Sequence, residues 1–402
     1  MRCVREQRTE DVLKNLAAPL MIVSSDCHVG APSSEYREYL DPAYRVAYDE
    51  SIADRERLES RTAEVVGRGP MSSDGDAEHD ALTARWTAER RLTQLDADGL
   101  AAEVVYPQPA GRAAPPFYNI FGHPLDPGDP LAAAAGCRAH NRWLADFCAG
   151  SPQPERHAGL ALVGIVDDVK AAVAEVEWAK RAGLRGVILR SQPLSGFGWH
   201  DPRYEPLWSV CESLEMPIHT HGGEGLELGD LPGSRSIFFT EVVWFAHRLF
   251  WHLLWSGVLE RHPNLQLVLA EQFADWVPAL LHRLDKQYAG TVSSITLTEG
   301  LSMKPSAYWA RQCHVGASFM NREECELRHE IGVRSILWGS DFPHDEGTWP
   351  DTAVALHATF DGVPQAELRA MLGENAIRVY GFDVDSLARH AERVGPAIEK
   401  FA

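Results

Sequence analysis

Short runs of apolar residues recur along the chain and predict strands that are buried on both faces. The runs cover residues 20–27, 102–107, 158–164, 186–190, 217–222, 265–270, 314–319 and 335–340. Most are continuously apolar rather than alternating with polar residues, which is typical of parallel strands covered on both sides. Stretches with apolar residues at helical spacing lie between most of them. Eight strands alternating with helices predict an α/β fold, the (β/α)₈ or TIM barrel.

Two regions fall outside this alternation. Residues 50–90 are polar and rich in Arg, Glu, Ser and Asp, with a turn cluster at 69–75. A long connection inside a compact domain is usually functional or disordered, so we expect an insertion after the first strand that acts as a lid. Residues 364–400 predict two helices that pack outside the barrel. We therefore expect one domain spanning residues 1–402, with the barrel at about 20–362.

Composition and charge narrow the classes of function. The chain has 402 residues, of which 45% are hydrophobic and 24% charged, and its net charge is −19. Such an acidic balance argues against sequence-independent nucleic-acid binding and against an electrostatic membrane anchor. No apolar run is long enough for a transmembrane helix, and the charged N-terminus lacks the apolar stretch of a secretory signal. The seven scattered cysteines, without a Cys-x-x-Cys pair, predict reduced thiols in a cytoplasmic protein.

Acidic and histidine side chains stand at the ends of four predicted strands. They are Asp26 and His28 at the first strand, His219 and His221 at the fifth, Glu271 after the sixth, and Asp341 and His344 after the eighth. The carboxyl ends of barrel strands meet on one face, so these side chains are expected to converge. Buried carboxylates and imidazoles are costly unless they are paired or bind a metal. The pattern predicts a metal site, completed by His219 or His344; the alternative is an aspartate that only orients a core histidine.

The carboxylate content of this set bears on the metal. Tetrahedral zinc sites favour histidine and cysteine ligands, whereas this set includes Asp26, Glu271 and Asp341. Mixed carboxylate and imidazole ligands suit non-heme iron, and the donors are numerous enough for two ions. The residues alone do not separate iron from manganese or zinc.

Three motifs resemble the amidohydrolase-related family of metal-dependent barrels. They are Asp-x-His after the first strand, Pro-x-x-x-His-x-Gly at the fifth and Gly-Ser-Asp-x-Pro at the eighth, within roughly residues 20–380. That family includes zinc-dependent decarboxylases of aromatic acids and hydrolases. The chain departs from its pattern at Asp26, at Glu271 in place of a histidine, and at Arg190, where dinuclear hydrolases carry a lysine. With these departures it resembles a branch of non-heme di-iron monooxygenases acting on coenzyme A-linked substrates, some of them diterpenoids in antibiotic biosynthesis.

This resemblance implies an oxidoreductase that uses two iron ions, dioxygen and an electron donor to hydroxylate an acyl-coenzyme A. Glu271 and Asp341 would then act in catalysis as well as in metal binding. The alternative is a hydrolase or decarboxylase that uses zinc or manganese, in which the metal activates water or polarises a carboxylate. A third option is a metal-stabilised binding barrel without turnover. The oligomeric state stays open, with a homo-oligomer among the options.

An aromatic-rich helical stretch at residues 240–261 has two interpretations. Its aromatic stripe is typical of core packing, and it also suits the wall of a substrate pocket. We expect Trp244, Phe245 or Arg248 to reach that pocket.

Overall fold

Eight parallel strands form the centre of the molecule in the computed structural model. The structure describes residues 19–53, 86–108, 113–117, 129–164, 168–193, 197–223, 231–290, 300–344 and 346–397. The strands are β1 (Val23–Val29), β2 (Ala102–Pro107), β3 (His157–Leu162), β4 (Gly186–Ile188), β5 (Ile218–His221), β6 (Leu267–Ala270), β7 (Cys313–Ser318) and β8 (Ile336–Gly339). Each strand pairs in parallel with the next one along the chain. Every residue in the eight strands is buried, which explains the continuously apolar runs.

Contacts between the first strand and the segment after the last one close the sheet into a barrel. The backbone N–H of Asp341 donates to the carbonyl of Asp26 at 2.9 Å, and that of His28 donates to the carbonyl of Phe342 at 2.8 Å. A parallel bridge joins Cys27 and Phe342. The predicted TIM barrel is therefore confirmed.

Helices surround the barrel in the described residues. They include α1 (Ser33–Tyr39), α2 (Ala88–Ala97), α3 (Pro130–Gly150), α4 (Val169–Arg181), α5 (Glu205–Ser213), α6 (Ser234–Ala246), α7 (Arg248–Trp255), α8 (Val258–Arg261), α9 (Trp276–Tyr288), α10 (Pro305–Gln312), α11 (Arg322–Glu326), α12 (Arg328–Ile331), α13 (Thr352–Phe360), α14 (Gln365–Arg369), α15 (Asn375–Tyr380) and α16 (Val384–Val394). A π-helical turn, Ala370–Glu374, joins α14 to α15. None of the helices within these described ranges is long and apolar enough to span a membrane.

The C-terminal helices pack more closely on the barrel than expected. Tyr380, at the end of α15, lies in a buried cluster with interior strand residues such as Val104 and Leu160. The predicted insertion at 50–90 lies mostly outside the described residues, because the described chain stops at residue 53 and resumes at 86. The lid stays a prediction.

A buried ion pair joins α2 to the barrel. Arg91 and Glu103 are both fully buried, and their closest atoms, Nη2 and Oε2, are 2.6 Å apart. Burial alone would raise the pKa of Glu103, but the adjacent Arg91 and His157 outweigh that effect and lower it from 4.5 to about 2. The ionised carboxylate is therefore part of the stable fold.

This lowered pKa predicts an acid-sensitive component of stability. A carboxyl group whose pKa is lower in the folded state stabilises the fold above its unfolded pKa and loses that contribution as the pH falls through the folded value. The free energy of unfolding should therefore decline between about pH 5 and pH 2, and Glu103→Gln should make that decline shallower. Urea unfolding across this range measures both slopes; identical slopes in the two proteins would contradict the expectation.

Candidate metal centre

Four side chains from three strand ends meet at the carboxyl end of the barrel. Asp26, His28, His221 and Glu271 each offer one ligand atom, and these atoms lie within 4.8 Å of one another. His221 Nε2 is 2.9 Å from Glu271 Oε2 and 3.6 Å from Asp26 Oδ1. His28 Nε2 is 3.4 Å from Asp26 Oδ1. Ligands held about 2.0–2.2 Å from one ion are roughly 3.0–3.5 Å apart, so these separations suit a shared cation.

Asp341 and two further residues extend this cluster. His28, Asp341 and His344 form a second group of donors, and Glu271, Asp341, His344 and Glu346 form a third. Asp341 Oδ1 lies 3.2 Å from His28 Nε2 and 2.9 Å from His344 Nδ1. The structure thus brings together six residues that the sequence predicts as metal ligands: Asp26, His28, His221, Glu271, Asp341 and His344.

The orientation of His28 suits a ligand. Its Nδ1 is 2.8 Å from the carbonyl of Pro107, so this nitrogen carries the proton and donates to the carbonyl. Nε2 is then left with a lone pair directed at Asp26 and Asp341. Metal-binding histidines usually donate their other N–H in this way, which fixes the tautomer and the ring.

Several buried polar atoms in the cluster lack a hydrogen-bond partner of acceptable geometry among the described residues. They are Asp26 Oδ1, His28 Nε2, both ring nitrogens of His221 and both carboxylate oxygens of Asp341. Buried polar atoms are normally satisfied, and unsatisfied ones require an explanation. A bound cation would coordinate the carboxylate oxygens and the imidazole lone pairs that meet here. The donor set therefore fits a divalent metal ion.

Local backbone geometry places these side chains. A bulge in β1 between Ser24 and Cys27 interrupts its register with β2, and such bulges redirect side chains beside active sites. Glu271 and Asp341 both have left-handed backbone conformations, with φ of 51° and 58°. Strained residues of this kind often occur at functional sites. Position 339 requires a glycine, because a Cβ there would lie only 2.8 Å from the Cβ of Asp26.

The electrostatics favour a cation at this point. Burial alone would raise the pKa of Asp26, but His221 and His28 outweigh it and lower the pKa to about 2. Burial would lower the pKa of His221, but Glu271 and Asp26 raise it well above its usual value. Burial raises the pKa of Glu271 and of Asp341. Crowded carboxylates hold protons in this way when no metal compensates their charge.

The structure distinguishes the two histidines left open by the sequence. His219 lies outside all three donor groups. Its Nδ1 is 2.9 Å from the carbonyl of Val187 and its Nε2 is 2.9 Å from the hydroxyl of Tyr380, so both nitrogens have partners. The His344 ring is near the centre and stacks on that of His28, with centroids 4.1 Å apart.

Two residues that the sequence interpretation missed complete the surroundings. Ser318, the last residue of β7, donates its hydroxyl to Asp26 Oδ2. Gln108, directly after β2, places its amide nitrogen 3.2 Å from His344 Nε2. Ser318 lies near the end of the predicted strand at 314–319, and Gln108 directly follows the one at 102–107; these positions were the available signal.

The aromatic stretch at 240–261 forms α6, α7 and α8. Trp244 is 60% exposed. The guanidinium of Arg248 lies over the ring of Phe245, 4.5 Å from its centroid. Contact between these residues and a substrate stays a prediction.

Comparisons with known proteins bear on the family and the reaction. The model of the amidohydrolase family matches residues 26–382. The γ-resorcylate decarboxylase of Rhodococcus jostii (strain RHA1) is 25% identical over 234 residues, covering 54% of this chain and 70% of the relative. That of Rhizobium sp. (strain MTP-10005) is 23% identical over 313 residues, covering 75% of this chain and 88% of the relative.

Solved structures share the fold. The 5-carboxyvanillate decarboxylase of Sphingomonas paucimobilis is 18% identical with a TM-score of 0.61, covering 90% of this chain and 100% of that one. A dihydroxybenzoic acid decarboxylase from Polaromonas sp. JS666, with bound manganese and the inhibitor 2-nitroresorcinol, is 17% identical with a TM-score of 0.59, covering 90% and 97%.

These relatives correct the predicted reaction. The curated relatives are decarboxylases, so they contradict the predicted dioxygen-dependent di-iron monooxygenase and the associated oxidoreductase role in antibiotic biosynthesis. They give no support to two iron ions, dioxygen, an electron donor or a coenzyme A substrate, whereas the alternative of a zinc- or manganese-dependent decarboxylase agrees with them. The family resemblance itself is confirmed, since the match spans most of the sequence. This chain belongs to the amidohydrolase family.

Proposed function

We propose that this protein is a divalent-metal-dependent decarboxylase of hydroxylated aromatic carboxylic acids. The observation that carries the proposal is a buried donor cluster at the barrel mouth, in a chain whose relatives remove the carboxyl group from such acids. Fold alone does not define a reaction, so the proposal rests on this pairing of site chemistry with relatives.

Asp26, His28, His221 and Glu271 would hold the metal, with Asp341 beside His28 as a further donor. Carboxylate ligands suit manganese and imidazole ligands suit zinc, and the carboxylate share of this set favours manganese. When bound, the ion acts as a Lewis acid that orients and polarises the oxygens of the substrate.

The exposed edge of the cluster marks the side from which substrate arrives. Asp26, His221 and Asp341 have fully buried side chains, whereas Glu271 is 20% exposed and His344 is 12% exposed. An aromatic acid would therefore approach past Glu271 and His344. Its ring would displace water from that side and strengthen the electrostatic interactions within the site.

Decarboxylation needs a proton at the carbon that loses its carboxyl group. The C–C bond breaks, CO₂ leaves, and the electron pair left on the ring carbon takes up a proton. His344 would hold this proton on Nδ1, which lies 2.9 Å from Asp341 Oδ1, and solvent would replace it after transfer because the ring is at the exposed edge. The Gln108 amide, 3.2 Å from Nε2, holds the ring from its other side. We assign His344 to proton transfer rather than to the metal.

Glu271→His tests the part played by the carboxylate at β6. Histidine tolerates left-handed backbone better than most residues, so the φ of 51° should be accommodated. Exchanging a carboxylate for an imidazole should shift the metal preference from manganese toward zinc. Competition between the two ions, followed by elemental analysis, measures the ratio bound. An unchanged ratio would show that Glu271 does not contact the metal.

The reaction is tested by metal removal and restoration. Chelation should abolish release of CO₂ from 2,6-dihydroxybenzoate or 5-carboxyvanillate, and added Mn²⁺ should restore it. Benzoate, which has no ring hydroxyl, is the matched control and should react far more slowly. Failure of the manganese-loaded protein to decarboxylate any hydroxylated aromatic acid in a broad panel would contradict the proposal.

A further inference from the structure

Arg91 connects α2 to both strand ends that carry His28 and Asp341. Its side chain is fully buried. Nη1 donates to the backbone carbonyl of His28 at 2.9 Å. The guanidinium carbon lies 4.6 Å from the ring centroid of Phe342, the residue after Asp341. Nε and Nη2 donate to Glu103 Oε2 at 2.9 and 2.6 Å.

These contacts converge on one short stretch of backbone. The N–H of His28 donates to the carbonyl of Phe342, and the carbonyl of His28 accepts from Arg91. Arg91 therefore holds the end of β1 through a hydrogen bond and the segment after β8 through its stack on Phe342. These two contacts together hold His28 Nε2 and Asp341 Oδ1 3.2 Å apart.

The guanidinium is itself held in place. Glu103 Oε1 is 2.8 Å from His157 Nδ1, and His157 Nε2 is 2.9 Å from the hydroxyl of Ser151. A chain of hydrogen bonds thus runs from Ser151, at the end of α3, to the backbone of His28. A planar guanidinium can donate to Glu103 and to the His28 carbonyl while it stacks on the ring of Phe342. The ammonium group of a lysine could not make these three contacts together, so lysine would not replace the arginine.

We propose that Arg91 is a positioning residue of the metal centre, which fixes the separation between His28 and Asp341 and thereby the affinity for a divalent cation. The inference rests on the proposed metal site. Residues that orient metal ligands from behind typically change metal affinity about 10- to 100-fold when replaced.

The experiment must separate metal positioning from stability, because removing one partner of a buried ion pair destabilises the fold. Arg91→Met leaves the Glu103 carboxylate without its cation and should both lower the thermal midpoint and weaken Mn²⁺ binding. Combining Arg91→Met with Glu103→Gln removes both charges and retains an acceptor for His157, so the midpoint should recover. Affinity for Mn²⁺ should stay about 10- to 100-fold below that of the wild type.

Two further variants complete the test. Glu103→Gln alone keeps Arg91 on the His28 carbonyl, so it should lose stability yet bind Mn²⁺ nearly as the wild type does. Arg37→Met removes an exposed arginine, 37% accessible and paired with Asp49, and should change neither quantity. Titration of the full-length chain with Mn²⁺ and thermal unfolding give both readouts.

The outcomes are distinct. Wild-type Mn²⁺ affinity in the double variant would overturn the role of Arg91 while leaving the metal site intact. If the double variant does not fold, equal losses of affinity in Glu103→Gln and Arg91→Met would overturn it, since both would then reflect stability. A wild-type chain that binds neither Mn²⁺ nor Zn²⁺ would overturn the metal centre and this inference together.

Discussion

Replacing His221 with alanine is expected to abolish both metal binding and turnover. His221 Nε2 faces two carboxylates, at 2.9 Å from Glu271 and 3.6 Å from Asp26. Its removal would take away the imidazole nitrogen that lies between them and would bind the cation. Mn²⁺ affinity should fall by more than about 100-fold, beyond the losses typical of residues that only orient ligands. Titration with Mn²⁺ and the rate of CO₂ release measure the two effects.

His219→Gln is the matched control, since the two histidines lie two residues apart on β5. Both ring nitrogens of His219 are bound to Val187 and Tyr380, so this variant should lose stability but keep its Mn²⁺ affinity. A comparable loss of affinity in both variants would contradict the assignment of His221 as the ligand from β5.

His344→Gln is expected to separate catalysis from metal binding. If His344 delivers the proton, turnover should fall about 10²- to 10⁴-fold, the usual contribution of a general acid. The metal should still bind, because Asp26, His28, His221 and Glu271 form a donor group without His344. Steady-state kinetics with the manganese-loaded variant give the turnover, and elemental analysis gives its metal content.

The opposite pattern for His344 is equally informative. A variant that loses Mn²⁺ as completely as His221→Ala would identify His344 as a ligand. Unchanged turnover at full metal occupancy would remove His344 from the reaction altogether.

The barrel was predictable because its strands carry a strong signal. Strands buried on both faces require continuous apolar runs, and all eight predicted runs overlap observed strands. The weak run at 314–319 contains most of β7 (Cys313–Ser318). The position of the C-terminal helices was harder to predict. Tyr380 contacts the barrel interior through residues far away in the sequence, and the local pattern of apolar and polar residues does not encode such contacts.

Much of the candidate site was also predictable, since residues after parallel strands converge on one face. The alternation of residues along a strand shows which face a side chain is on. It does not show how close that side chain lies to the carboxyl end of the barrel, so the sequence could not tell whether His219 or His221 binds the metal. Both point to the barrel interior, yet only His221 reaches the donor cluster, while His219 meets Tyr380. The role of Arg91 was not predictable from the sequence, because this residue lies on a helix and contacts the backbone of His28 rather than the metal site itself.

The reaction was the least predictable element. Carboxylate-rich ligands suit several metals, and one metal site supports oxidation, hydrolysis or decarboxylation according to what the substrate presents. The carboxylate of Glu271 favoured iron in the sequence analysis, whereas two relatives that match over 313 residues are decarboxylases. The types of ligand atom therefore limit which metal binds more than they limit which reaction the metal supports.

One measurement tests the central claim most directly. The manganese-loaded protein is incubated under strictly anaerobic conditions with 2,6-dihydroxybenzoate labelled with ¹³C at its carboxyl carbon. The proposed decarboxylase releases ¹³CO₂ and leaves resorcinol with one new ring hydrogen, taken from solvent. Absence of ¹³CO₂ from this acid and from equally labelled 5-carboxyvanillate, or release that requires dioxygen, would contradict the account.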